Sequence, residues 1–272
     1  MSEPSILPFF ASGHDPGPSF VDLLHHVAPA AAAGVASDPR PESFPITHAT
    51  TVVAIRSATG VVMAGDRRAT AGHTIANRRI EKVFAADEHS GVAIAGAAGP
   101  AVEMVRLFQV QLRHYEKVEG VQLSLEGKAN QLAQMVRANL PAAMQGFVVI
   151  PLFAGYDHRR QRGRVFSYDA TGGKYEEADY QTNGSGGVHA RNWIKAGWHE
   201  GIEPDDAVAL AIKSLFAAAD EDAATGGPDL VRGIYPMVAT IDAEGFQLLD
   251  DDDIAARCQD LLGGPERGGS SS

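Results

Sequence analysis

Two hydrophobic periodicities alternate along this chain, and the order in which they do so constrains its fold more than any other feature. Thr50 to Arg56 and Val61 to Asp66 are β-branched runs joined by Ser57-Ala58-Thr59-Gly60, which reads as a hairpin. Lys82 to Ala86 and Gly91 to Gly96 read as a second, turning at Asp87 to Ser90. The period then becomes helical. Pro100 to Lys117 sets Val102, Val105, Phe108, Leu112 and Tyr115 on one face. Ser124 caps a second helix running to about Gln145, with Leu132, Met135, Val136 and Leu140 inward. Strands return at Val148 to Asp157, Gly163 to Asp169 and Tyr175 to Thr182. Two more helices follow, from about Gly187 to Trp198 and from Pro204 to Asp220, the second with Val208, Ala211, Ile212 and Leu215 inside. Ile234 to Asp242 and Gly245 to Leu249 form a closing hairpin, and Asp252 to Leu262 a last helix whose acidic start, Asp250 to Asp253, suits the helix dipole. The order is strands, two helices, strands, two helices, strands. An α+β protein with two sheets stacked face to face and helix pairs outside satisfies it.

The two ends differ from this body. Residues 1–49 carry 8 of the chain's 15 prolines and an Ala30 to Ala33 run, a composition that buries little. Within them only Ser19 to Val27 has a short amphipathic pattern. The segment reads as something made to be removed, leaving a single domain over residues 50–262 and a loose Gly/Ser-rich tail over 263–272. The formal net charge of −11 argues against nucleic acid or an anionic membrane as the main partner. The single cysteine, Cys258, has no internal disulfide partner, and no Cys/His cluster has zinc spacing. A basic n-region and an apolar run of membrane-spanning length are both missing, so a cytoplasmic protein is expected.

The chemistry centres on Thr50. A threonine hydroxyl is a weak nucleophile until a base stands beside it, and a cut just before the residue would free an α-amine to be that base. If the first hairpin turns around Ala58 and Thr59, Thr50 lies beside Asp66 or Arg67 at the end of a sheet. Thr50-Thr51-Val52-Val53-Ala54, followed by Val61-Val62-Met63-Ala64-Gly65-Asp66-Arg67-Arg68, resembles the N-terminal signature of proteasome β subunits. Further matches are Arg79-Ile80-Glu81-Lys82-Val83, Ile94-Ala95-Gly96, Gly184-Ser185-Gly186 and Asp222-Ala223-Ala224-Thr225-Gly226-Gly227. The stretches from His114 to Gly120 and from Thr225 to Gly233 look like the actinobacterial branch, and the likeness spans residues 50–250.

The resemblance implies an N-terminal-nucleophile hydrolase with a four-layer α-β-β-α sandwich, acting as a threonine endopeptidase of a bacterial 20S proteasome. Carried over, Thr50 is the nucleophile and its own amine the base. That amine has a reference pKa of about 7.7–8.0, against about 10.4 for a lysine side chain, so it can take a proton near neutral pH. Lys82 is the active-site lysine, Asp66 holds Lys82 and the Thr50 hydroxyl, and the Gly96 amide faces the developing oxyanion. Ser185, Asp222 and Thr225 match the supporting triad near the amine, where the family commonly has Ser in place of Thr225. Thr51 remains a strand residue. An extended substrate would lie along Thr70 and Ala98. Ala69, Ile80, Phe84, Ile94 and Ala98 would line the first specificity pocket. Cleavage falls at Ala49–Thr50, where the family usually has glycine before the threonine; alanine there predicts slower processing.

The implied partners are proteasome α subunits, a β-subunit homo-oligomeric ring, and an ATPase ring delivering proteins tagged with the ubiquitin-like Pup; no cofactor or metal is implied. Each residue also has a plainer reading: Lys82 as a surface lysine beside Arg78 and Arg79, Gly96 as a tight turn, the triad as helix caps, the pocket residues as core. An HslV-type threonine peptidase shares the Thr-Thr start but is shorter and generally lacks the long leader. A non-catalytic β subunit would not need Thr50, Asp66 and Lys82 together. The basic stretch Asp157 to Arg164 reads as a solvated hairpin rather than a nucleic-acid site.

Overall fold

A computed structural model describes residues 50–263. The expected leader over residues 1–49, with its Ser19 to Val27 stretch and Ala49 itself, lies outside the described residues. So does the tail beyond Gly263.

Two five-stranded antiparallel sheets form the middle of the molecule. The first contains β1 (Thr51–Arg56), β2 (Val61–Gly65), β10 (Tyr180–Gly184), β11 (Met237–Asp242) and β12 (Gly245–Leu248), in the order β10-β1-β2-β11-β12. The second contains β5 (Val83–Asp87), β6 (Ser90–Gly96), β7 (Val149–Asp157), β8 (Arg162–Tyr168) and β9 (Lys174–Glu177), in sequence order. A two-stranded ribbon, β3 (Ala69–Ala71) with β4 (Thr74–Asn77), stands apart from both. The helices are α1 (Ala98–Glu119), α2 (Leu125–Ala138), the single turn α3 (Leu140–Ala143), α4 (Gly187–Gly197), α5 (Pro204–Glu221) and α6 (Asp251–Gly263).

Period-two side-chain alternation explains how these pieces layer. On β1, Val52 and Ala54 join Val61 and Met63 in a core shared with Val83, Ala93, Leu152, Ala154 and Val165 of the other sheet. Their neighbours Val53 and Ile55 face the opposite way, into a core with Ile194 of α4, Ala211 and Leu215 of α5, and Ile254 and Cys258 of α6. The second sheet's outer face, Val92, Ile94, Phe153 and Phe166, packs on Phe108 of α1 and Leu132 and Val136 of α2. Three cores between four layers give the expected α-β-β-α sandwich. Because both faces of each sheet are covered, the central strands are apolar throughout instead of alternating.

The boundaries show where local chemistry decided. Ser124 caps α2, its hydroxyl accepting from the Gly127 amide at 3.1 Å. That helix stops at Asn139 instead of continuing to Gln145. Pro141 has no N–H to give to the carbonyl one turn back, so the chain restarts as the short α3. The stretch Tyr175 to Thr182 is two strands: β9 closes the second sheet, and β10 crosses to pair with β1 in the first. Tyr115, expected on the inner face of α1, is exposed, and Ala101 and Met104 take the inner positions beside Val105. The basic hairpin between β7 and β8 is only partly solvated. The Arg164 side chain is buried, with ion pairs to Glu126 on α2, Asp157 on β7 and Glu176 on β9. It ties the helix layer to the sheet.

Candidate active site

Strand register sets the first contact. Val52 of β1 faces Gly65 of β2, so the next residues outward, Thr51 and Asp66, close the hairpin at its open end. The Thr51 amide donates to Asp66 Oδ1 at 2.8 Å, and the Asp66 amide donates to the Thr51 carbonyl at 3.1 Å. Thr50, one residue further, is buried at the end of the sheet.

Lys82 reaches this point from the other sheet. It precedes β5, and its Nζ lies 2.6 Å from Asp66 Oδ1 and 2.6 Å from the Arg68 carbonyl. Both ends of the ion pair are inaccessible, with the side chains of Lys82 and Asp66 2% and 0% exposed. Burial pulls the Lys82 ammonium below its ordinary pKa, and the Asp66 carboxylate pulls the other way without cancelling it. Asp66 is further held by amides: Oδ2 accepts from Arg68 at 2.9 Å and from Gly226 at 2.8 Å.

On the far side, the Ser185 amide donates to the Thr50 carbonyl at 2.9 Å. The preceding Gly184 has φ +103°, and a Cβ there would sit 1.7 Å from that carbonyl oxygen, so no other residue fits. Ser185 Oγ donates to Asp222 Oδ2 at 2.5 Å, and Thr225 Oγ1 donates to the same oxygen at 2.7 Å. Burial works to raise the Asp222 carboxyl, but these two hydroxyls and the Ala224 amide outweigh it and hold the group below its ordinary pKa. Gly96 ends β6 at φ +111°, where a Cβ would meet the Val148 carbonyl oxygen at 2.1 Å. Its glycine is therefore a backbone requirement.

The residues singled out in the sequence thus fall into three groups. Asp66 and Lys82 pair directly beside Thr50, and Ser185, Asp222 and Thr225 form a second cluster bonded to Thr50 through its carbonyl. Gly96 leads from β6 into α1, beside the half-buried Ala98. Of the expected pocket residues, Ile80 and Phe84 line a cavity of about 350 Å³ with Val102, Val105 and Gln109 of α1. Ala69 and Ile94 are buried, Ile94 within the outer core, and Thr70 is half-buried in the ribbon. Among the described residues no group of His, Cys, Asp or Glu is placed to hold a metal, and no helix is long and apolar enough to cross a membrane.

Sequence reasoning missed three contributors. The Arg68 carbonyl and the Gly226 amide act through the backbone, which residue identity does not announce. Thr51 is a strand residue, as expected, and its hydroxyl also lies 2.6 Å from that of Thr225 and accepts from the Gly186 amide at 3.1 Å.

Two facing sheets between helix layers, with a buried Asp–Lys pair behind the residue that leads the first strand, define an N-terminal-nucleophile hydrolase fold. Comparison with protein families matches residues 46–231 to "Proteasome subunit". A proteasome subunit beta from Acidimicrobium ferrooxidans is 60% identical over 90% of this chain and 89% of its own length. Those of Acidothermus cellulolyticus and Streptomyces griseus are 52% and 51% identical, covering 92% and 90% of this chain and 88% and 87% of their own. The chain belongs to the proteasome subunit family, among its β subunits, which makes it a catalytic, protein-hydrolysing subunit of the bacterial 20S type.

Proposed function

We propose that the chain is a threonine endopeptidase whose nucleophile is Thr50, released as an N-terminal residue by cleavage of the Ala49–Thr50 bond. While Ala49 is attached, the Thr50 nitrogen is an amide and cannot serve as a base. Once it is an amine, it takes the hydroxyl proton as Thr50 Oγ1 attacks the scissile carbonyl, and later gives it to the leaving amine. The Lys82 ammonium lowers the cost of the developing alkoxide and favours the neutral amine. Asp66 fixes Lys82. The Gly96 amide receives the oxyanion, and Ser185, Asp222 and Thr225 orient the amine. Peptide substrate lies extended along Thr70 and Ala98, with Ala69, Ile80, Phe84, Ile94 and Ala98 shaping the first pocket.

The observation that carries this reading is the Asp66 carboxylate, which binds both the Lys82 ammonium and the Thr51 amide immediately behind Thr50. Assembly with α subunits into stacked rings, substrate delivery by an ATPase ring acting on Pup-tagged proteins, and a cytoplasmic location go with it. The test is co-expression with α subunits, followed by intact mass, N-terminal sequencing and exposure to a covalent threonine-directed inhibitor. A mature chain starting at Thr50 and labelled there is expected. A start at Thr51, no cut, or an assembled and processed ring that takes up no label would defeat the mechanism.

A further inference from the structure

The Thr51 hydroxyl joins the Thr225–Asp222 cluster, yet the proposed chemistry gives it no part. It is 0% exposed, as is Thr225. Four groups form a line: the Gly186 amide, Thr51 Oγ1, Thr225 Oγ1 and Asp222 Oδ2, at 3.1, 2.6 and 2.7 Å in turn. A hydroxyl has one proton to give. An ionised carboxylate only accepts, so the Thr225 proton is committed to Asp222. The Gly186 N–H can only donate, so Thr51 accepts there. The proton between the two threonines must therefore come from Thr51, and the line has a single direction. Gly186 is shaped for this pair: a Cβ on it would lie 2.6 Å from both hydroxyl oxygens.

We infer that Thr51 is a positioning residue for the Thr50 site, its hydroxyl being the donor that orients Thr225 onto Asp222 and, through Asp222, the hydroxyl of Ser185. The Ser185 proton also goes to Asp222 Oδ2, which leaves Ser185 Oγ able only to accept from any third group. Its own amide is bonded to the Thr50 carbonyl. The acceptor is thus held beside the residue whose freed amine needs a hydrogen-bond partner to aim its lone pair. Thr51 touches no reacting atom; it acts through three successive hydrogen bonds. This inference rests on the proposed function, and it gives the second threonine of the pair a role that an ordinary strand valine would not fill.

The test uses the assembled particle, co-expressed with α subunits and checked by intact mass for processing. Thr51→Val keeps shape and removes the donor; Thr51→Ser keeps the donor. With a fluorogenic peptide, Thr51→Val is expected to lower kcat about tenfold, the equivalent of one ordinary hydrogen bond, at unchanged KM. Thr51→Ser should stay within about twofold of the parent. Wild-type kcat in Thr51→Val would overturn the inference, and so would an equal loss in Thr51→Ser. Where Thr51→Val does not assemble, Thr51→Cys, a weak donor, replaces it: a kcat below that of Thr51→Ser supports the inference and equality overturns it. In the Thr225→Val background, adding Thr51→Val should cost nothing further; additive losses would overturn it. Thr50→Ala in the same series keeps the two claims apart, because turnover surviving there sinks the proposed function itself.

Discussion

Removing either half of the buried Lys82–Asp66 pair should destabilise the chain, but unequally and with opposite dependence on surroundings. Lys82→Met removes two contacts of 2.6 Å, one to Asp66 and one to the Arg68 carbonyl. Asp66 still keeps three backbone donors, the amides of Thr51, Arg68 and Gly226, at 2.8, 2.9 and 2.8 Å. A lost charge-assisted hydrogen bond and an orphaned carbonyl, offset in part by new apolar burial, give a loss of about 3 kcal/mol. Asp66→Asn takes the carboxylate from a lysine ammonium whose side chain is 2% exposed and which keeps its bond to the Arg68 carbonyl. It also turns an amide NH2 toward other donors. That places its cost at the upper end for a broken buried pair, about 5 kcal/mol near neutral pH. Burial already holds Lys82 below its ordinary value of 10.5, and Asp66 is the first influence opposing it. Without that charge the folded-state pKa falls further. Between the folded value and about 10.4 the unfolded chain then binds more protons than the folded one, so stability rises with pH across that window. The Asp66→Asn deficit should therefore shrink from pH 6 to pH 9, whereas that of Lys82→Met should not. Guanidinium unfolding followed by tryptophan emission, to which Trp198 contributes from its place near Tyr180 with its indole donating to the Arg56 carbonyl, reads both. Deficits that are equal at pH 6, or that move together with pH, would refute the reasoning.

Three further outcomes follow from the same geometry. Gly96→Ala needs a left-handed φ of +111° and places a Cβ 2.1 Å from the Val148 carbonyl oxygen, so it should cost about 3 kcal/mol or more and abolish assembly into particles seen by size exclusion. Arg164→Met leaves Glu126, Asp157 and Glu176 without their shared cation; with the two glutamates partly exposed and screened, about 2–3 kcal/mol is expected at pH 7. These three carboxyls are held below their ordinary pKa in the folded chain, so their contribution is present above about pH 4 and lost as pH falls through the folded values, and the gap between parent and variant should narrow as pH falls below about 4 in denaturation curves. Cys258 is buried on α6, and burial pushes its thiol up to about 11, so a disulfide reagent at pH 8 should titrate no thiol in the native chain and one after unfolding.

Much of this fold was legible because burial on two faces leaves a periodic record. The first hairpin's register, the two helix pairs and the closing hairpin all follow from where apolar residues recur. What escaped lacked such a record. The β3–β4 ribbon is built from Ala69-Thr70-Ala71 and Thr74-Ile75-Ala76-Asn77, whose second strand is wholly exposed, so no apolar alternation marks it. The strand switch between β9 and β10 lies inside one continuous polar-apolar run, and only tertiary pairing divides it. Pro141 did announce the end of α2, but the apolar spacing through Leu140 spoke for continuation. At the site, Asp66 could be placed beside the leading threonines from hairpin register alone. Lys82 could not: its approach comes from a different sheet, and only the family likeness brought the two together. Thr51 is the strand residue expected, but its hydroxyl contacts went unread because a threonine on a strand has a ready explanation in β propensity, and a hydroxyl-to-hydroxyl contact across 174 residues of chain leaves no local sign.

The bonds of the site share one property that bears on how activity would be switched on. The Asp66–Lys82 pair, the Thr51–Thr225–Asp222 line and the bonds of Ser185 to Asp222 and to the Thr50 carbonyl all form among residues that follow the Ala49–Thr50 bond. All of these bonds are made in a chain that still carries residues 1–49. The proposed cleavage therefore need not build the Asp66–Lys82 pair or the Thr51–Thr225–Asp222 line. It changes the chemistry of one nitrogen, from an amide without basicity to an amine with a reference pKa of about 7.7–8.0. On that argument the barrier to activation sits in the local geometry of the Ala49 carbonyl relative to Thr50 Oγ1, and not in rearrangement of the surrounding residues. An Ala49→Gly chain should then mature faster in a time course of intact mass and reach the same specific activity as the parent once cut. A lasting difference in activity after complete processing would mean that the site is reshaped by the cut.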